Sequence, residues 1–176
     1  MKNALILQGW YQEPTSNWYP WLKKELEKKG YTVSVPDLPT IHTDAPDWEK
    51  IKKAILDLDI IDNQTLIVGH SLGCLMALKI AEEYKYNKMI LVAGWDFNDL
   101  TVEHQSFWKQ AIKHKKITNN VKNIFCVASD NDPYFTWCTN EEMSRRLNAK
   151  PILVKNAGHF TEKFGITEIP KIIKHI

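Results

Sequence analysis

The chain has 176 residues, 44% of them hydrophobic and seven of them tryptophan, which is the length of one domain with apolar mass for one well-buried core. Lys and Arg total 23 against 21 Asp and Glu, a formal charge of +2, so no basic footprint for nucleic acid exists; the single positive run, Lys113-His114-Lys115-Lys116, has no interleaved aromatics and reads as an exposed helix end. Three cysteines, an odd count, argue against a disulfide framework, and no apolar stretch has signal-peptide or membrane-spanning length, so the expectation is a soluble cytoplasmic protein with no membrane or nucleic-acid partner.

In chain order, short β-type runs alternate with helical patterns, without linker, repeat or low-complexity tract. The spacing predicts a strand over 4–7, a helix over 18–29 closed by Gly30, a strand over 32–35 and a helix over 48–58 with Asp47 as its N-cap. A strand over 65–68, a helix over 72–83, a strand over 88–92 and a helix over 104–114 follow. Strands over 124–128 and 152–154 alternate with helices over 141–147 and 169–175. Near-continuous apolar strands are those buried on both faces. The expectation is therefore one α/β domain over 1–176, a three-layer, doubly wound, mostly parallel sheet of about six strands with reactive loops at the strands' carboxyl ends. Neither G-x-G-x-x-G after the first strand nor a P-loop motif is present, so nucleotide cofactors are not supported.

Gly69-His70-Ser71-Leu72-Gly73 joins the third strand to an alanine- and leucine-bearing helix. This is the pattern of a nucleophile elbow: a sharp strand-to-helix turn that holds a serine in strained backbone and leaves no room for side chains two residues away on either side. The backbone N–H of Leu72, at the helix N-terminus, is then a donor to the oxygen that becomes negative when Ser71 attacks a carbonyl. The second donor expected is the N–H of Trp10, after the first strand, where Gly9 permits close approach.

A serine hydroxyl needs a base, and the base needs an orienting carboxylate. In the order serine, acid, histidine, the loop Ser129-Asp130-Asn131-Asp132-Pro133-Tyr134 offers two acids. Asp132, held extended by Pro133, is the choice, with Asp130 as the alternative and otherwise an organiser of its own turn. His159, in Asn156-Ala157-Gly158-His159-Phe160 after the last strand, is the base; His70 is expected to point away from the serine, His104, His114 and His175 lie on polar or terminal helical stretches, and His42 lies in a proline-bounded loop. Metal motifs (His-Glu-x-x-His, paired Cys-x-x-Cys, an acidic cluster at ligand spacing) are not found, so neither metal nor cofactor is expected. Among the aromatics, Trp10, Tyr11, Trp18, Trp95, Phe97, Trp108, Tyr134, Phe135, Trp137 and Phe160 fall near the reactive side, where each lines an acyl pocket or simply fills core.

Asn17-Trp18-Tyr19-Pro20-Trp21-Leu22-Lys23-Lys24-Glu25-Leu26-Glu27, Val68 to Gly73, Ser129 to Tyr134 and Gly158-His159-Phe160 together resemble the small serine hydrolases of the retinoblastoma-binding protein nine type. That resemblance implies a compact α/β-hydrolase fold without a cap domain, lacking the first two strands of larger hydrolases, and carries nucleophile, acid and base onto Ser71, Asp132 and His159. The chain departs from the family where Gly9 is followed by Trp10-Tyr11-Gln12-Glu13 instead of a glycine-rich turn. The binding activity in the family's name calls for Leu-x-Cys-x-Glu; Leu72-Gly73-Cys74-Leu75-Met76 lacks the acid, and that activity is not carried over.

The expectation is a serine hydrolase of carboxylesterase type acting through an acyl-enzyme on a small-molecule acyl substrate, in an open site that suits small or loosely fitted acyl groups. Two rivals share the fold: a binding or scaffold protein with vestigial catalysis, and an acyltransferase using the same triad.

Overall fold

A computed structural model describes residues 2–176. Six strands, β1 (Lys2–Leu7), β2 (Tyr31–Ser34), β3 (Leu66–His70), β4 (Lys88–Val92), β5 (Asn123–Ser129) and β6 (Lys150–Val154), form one sheet in the order β2-β1-β3-β4-β5-β6. Every pairing is parallel. Parallel neighbours need crossovers, and the crossover helices cover both faces.

The strands show why two faces must be covered. Successive side chains point to opposite sides. Leu5, Leu7, Ile67, Met89, Leu91 and Cys126 therefore join one core with helices α2 (Trp48–Leu56), α3 (Leu72–Ala81) and α5 (Trp137–Arg146). Ala4, Ile6, Val68, Ile90, Val92 and Val127 join the other core with α1 (Tyr19–Lys28) and α6 (Pro170–Ile173).

Local sequence explains each helix. In α1, Pro20 sits in the first turn, where its missing N–H is no loss, and Tyr19, Leu22 and Leu26 make the buried stripe. Burying each leucine contributes about 1.5–3 kcal/mol. Gly30, at φ 81°, ends the element, its N–H bonded to the Glu27 carbonyl. Asp47 caps α2, accepting from the N–H groups of Glu49 and Lys50. Helix α3 is buried at every position, as a sequence apolar but for Lys79 requires of a helix wedged between sheet and neighbours.

The helix expected over 104–114 does not form. A 3₁₀ turn covers Gln105–Trp108, and α4 begins only at His114 and runs to Asn120. Tertiary bonds replace the helical ladder: Lys79 Nζ donates to the Gln110 carbonyl, Lys113 N–H donates to Glu82 Oε1, and Ser106 Oγ bridges the Pro46 carbonyl and the Trp48 N–H. The helix expected over 141–147 starts earlier, because Thr136 caps it by accepting from Thr139 N–H. Among the described residues no helix is long and apolar enough to cross a membrane.

The chain leaves β1 toward β2 and returns to the far side of β1 as β3. Strand order reverses there, and the diverging loops open a crevice at the carboxyl ends.

Candidate active site

Ser71, at the junction of β3 and α3, has φ 53° and ψ −119°, outside the regions that L-residues favour. The two glycines make this turn possible for different reasons. A Cβ on Gly69 would lie 2.5 Å from the Gly73 carbonyl oxygen, and one on Gly73 would lie 2.1 Å from the Leu7 carbonyl oxygen. The elbow thus packs against its own helix and against β1 at backbone distance. Ser71 N–H donates to the Val92 carbonyl at 2.9 Å, tying the turn to β4. Below it, the Cys74 thiol contacts the carbonyls of Gly69 and Val92, and burial pushes its pKa well up, which makes it an inert spacer.

The loops after β5 and β6 are stitched together. Ser129 Oγ accepts the Ala157 N–H at 2.9 Å, Asn131 Oδ1 accepts the Gly158 N–H at 2.7 Å, and Asp130 Oδ1 accepts the Asn156 N–H at 2.7 Å. Asp130 therefore organises the facing histidine loop and not its own turn. Asp132 is the acid brought to the imidazole: His159 Nδ1 lies 2.9 Å from Oδ2 and 3.2 Å from Oδ1. Oδ1 also accepts from the N–H groups of Tyr134 and Phe135, at 2.9 and 3.3 Å. A carboxylate only accepts, so Nδ1 carries the proton and the neutral ring keeps its lone pair on Nε2.

His70 does not simply turn away from Ser71. Its ring is buried 5.3 Å from that of His159, with Nε2 2.9 Å from the His159 carbonyl and Nδ1 2.6 Å from Tyr19 Oη. Burial, followed by the neighbouring His159, lowers its pKa to about 3, so the ring is neutral. The bond directions follow. Nε2–H donates to the His159 carbonyl, Tyr19 O–H donates to Nδ1, and the Gly9 N–H donates to Tyr19 Oη at 3.2 Å. One chain of hydrogen bonds thus runs from the loop after β1 to the loop after β6. A second tie joins the same regions: Asn17 N–H donates to Glu162 Oε1 and Glu162 N–H to Asn17 Oδ1, both at 2.9 Å.

The Gly9-Trp10 turn lies against the serine, since a Cβ on Gly9 would be 3.2 Å from Ser71 Cβ. With the Gly9 N–H engaged by Tyr19, the backbone N–H of Trp10 and that of Leu72, first residue of α3, are taken up by no acceptor among the described residues. Ser71, His159, Gly9 and Trp10 line one cavity of about 730 Å³, walled also by Trp95, Tyr134, Phe135 and Phe164. Ser71 is half-buried and its Oγ is hydrogen-bonded to no described residue; the aspartate–histidine link is closed and the serine–histidine link is open. Apo sites commonly leave such bonds long. Of the candidate aromatics, Trp18 and Phe160 are core, the Trp18 indole N–H donating to the Phe160 carbonyl, while Tyr11 and Phe97 are exposed.

Sequence reasoning missed Tyr19 and His70 as the link between loops, because their meeting spans 51 residues. It also set aside His104, which lines the cavity together with Asp99 and Thr101. At the surface, the fold gathers Glu13, Asp37 and His42, which sequence spacing could not show; His42 Nε2 lies 3.3 Å from Asp37 and 3.8 Å from Glu13, an exposed charge cluster.

Comparison with known proteins agrees with this architecture. The chain is 27% identical over 175 residues to YdeN of Bacillus subtilis (strain 168), covering 96% of this chain and 91% of that one. It is 28% identical over 164 residues to serine hydrolase RBBP9 of Rattus norvegicus, covering 91% and 86%. The crystal structure of the B. subtilis ydeN product superposes with a TM-score of 0.88 at 26% identity, over 99% of this chain and 96% of the other. The fold is that of a compact α/β-hydrolase. The serine hydrolase family model matches residues 4–176, so the chain belongs to the serine hydrolase family.

Proposed function

We propose that this serine hydrolase is an esterase-type acyl hydrolase in which Ser71 is the nucleophile, His159 the general base and acid, and Asp132 the group that orients the imidazole. The observation that carries the proposal is the Asp132–His159 pair opening into the same cavity as a serine held at φ 53° on a strand-to-helix turn. Ser71 Oγ adds to the ester carbonyl carbon while its proton passes to His159 Nε2. Charge on the carbonyl oxygen is met by the N–H groups of Leu72 and Trp10, each such donor supplying about 3–4 kcal/mol of transition-state stabilisation. His159 then protonates the leaving alkoxide, the ester C–O bond breaks, and the acyl group remains on Ser71. Water, deprotonated by the same nitrogen, releases the acid and restores the serine.

A fluorophosphonate probe tests this directly. The wild-type protein is expected to label and to hydrolyse short p-nitrophenyl esters; Ser71→Ala should lose both, with turnover down by about 10⁴-fold or more. Labelling that survives in Ser71→Ala would remove Ser71 as the nucleophile.

A further inference from the structure

The wall of the cavity contains a second aspartate–histidine pair. Asp99, Thr101 and His104, on the irregular segment after β4, all line it. His104 Nδ1 lies 2.7 Å from Asp99 Oδ2, and Asp99 Oδ1 accepts from the Thr101 N–H and hydroxyl at 3.2 and 2.9 Å. Nδ1 thus carries the proton, and the neutral ring has its lone pair on Nε2. That nitrogen is buried and has no hydrogen-bond partner among the described residues. The same is true of the indole N–H of Trp95, whose ring lies 5.5 Å from that of His104 and stacks on Phe135 at 4.7 Å.

Buried polar groups without partners are rare and cost free energy, and these two are neighbours in one wall: an acceptor beside a donor. A saturated alkyl group would leave both unmet. A carboxylate has no proton for Nε2 and would face the charge of Asp99. A carboxamide brings one N–H too many. A hydroxyl matches the count, giving its proton to Nε2 and accepting from Trp95. Trp10, Tyr134 and Phe135 also line the cavity, and their aromatic surface suits a flat apolar frame behind that hydroxyl.

On the reading that Ser71 is acylated, we infer that His104 and Trp95 form the polar end of the acyl subsite and select aromatic acyl groups that carry a hydroxyl. Both nitrogens lie within the wall and not on its surface, so the hydroxyl reaches them through a small rearrangement of the aromatic side chains around them.

The test compares kcat/KM for methyl 3-(4-hydroxyphenyl)propanoate and methyl 3-phenylpropanoate, each normalised to the fraction of enzyme that a fluorophosphonate labels. The wild-type protein should favour the hydroxylated ester by about tenfold or more. His104→Phe and Trp95→Phe should each bring that ratio toward one. If His104→Phe does not fold, having stranded Asp99, Trp95→Phe keeps the ring and carries the test. Equal turnover of the two esters, as solvent alone meeting these nitrogens would give, overturns the subsite. So does a preference that survives both substitutions, or a labelled enzyme that hydrolyses neither ester. Failure of the probe to label Ser71 in the wild type is a different result, and removes the acyl-enzyme reading together with the subsite.

Discussion

Two aspartate–histidine pairs face one cavity and are anchored in opposite ways. Asp132–His159 sits between loops that trade bonds over 26 to 28 residues of sequence, and His70 grips the His159 carbonyl from below. Asp99–His104 is held by bonds within five residues, on a segment that exposes Leu100 at 79% and Val102 at 82%. The difference suits the roles proposed for the two pairs. A proton-transferring base must stay within a fraction of an ångström of its geometry, whereas a group that a substrate reaches only by rearrangement gains from a segment that can yield.

The largest expected effect lies on the fixed side. Asp132→Asn removes the acceptor that sets the His159 tautomer, and kcat on a p-nitrophenyl ester should fall by about 10⁴-fold. An equal fall in Asp99→Asn would break the contrast by making both pairs catalytic. Next comes stability, measured by urea unfolding. Ser129→Ala strands the buried Ala157 N–H and should cost about 1–3 kcal/mol, while Leu100→Ser on the exposed segment should stay within about 0.5 kcal/mol. Similar losses at both positions would mean that the two segments are equally fixed.

A further test is a pH slope. His70 is held at about 3 in the fold, below its ordinary value of 6.5, so below pH 6.5 the unfolded chain binds a proton that the folded chain refuses. The stability that this group contributes is fully present above pH 6.5 and is lost as pH falls toward 3, by up to about 1.4 kcal/mol per unit. His70→Gln should flatten the stability profile between pH 6 and pH 4 by about that slope. An unchanged slope would remove His70 as the neutral anchor of the histidine loop.

Much of this was legible in the sequence for a physical reason. Strands buried on both faces have apolar runs that need no partner to be recognised, and Gly69 and Gly73 mark an elbow because a Cβ at either meets backbone. Asp47 and Gly30 announce helix ends through local bonds alone. Legibility failed where distant groups decide. The stretch from His104 to His114 has helical spacing, yet Lys79 and Glu82 capture its backbone from another helix. Likewise Pro133 favours Asp132 over Asp130 without excluding the latter, and it is the approach of Asn156 to Asp130 and of His159 to Asp132 that separates them in space.

The strand order also sets a schedule. On the ribosome, a nascent chain that has emerged only as far as Glu141 already holds the elbow and Asp132, but His159 lies on the loop after β6, the edge strand laid against β5. On the roles proposed above, hydrolytic competence waits for β6 to be laid against β5, and a chain halted before that strand has a serine with nothing to take its proton.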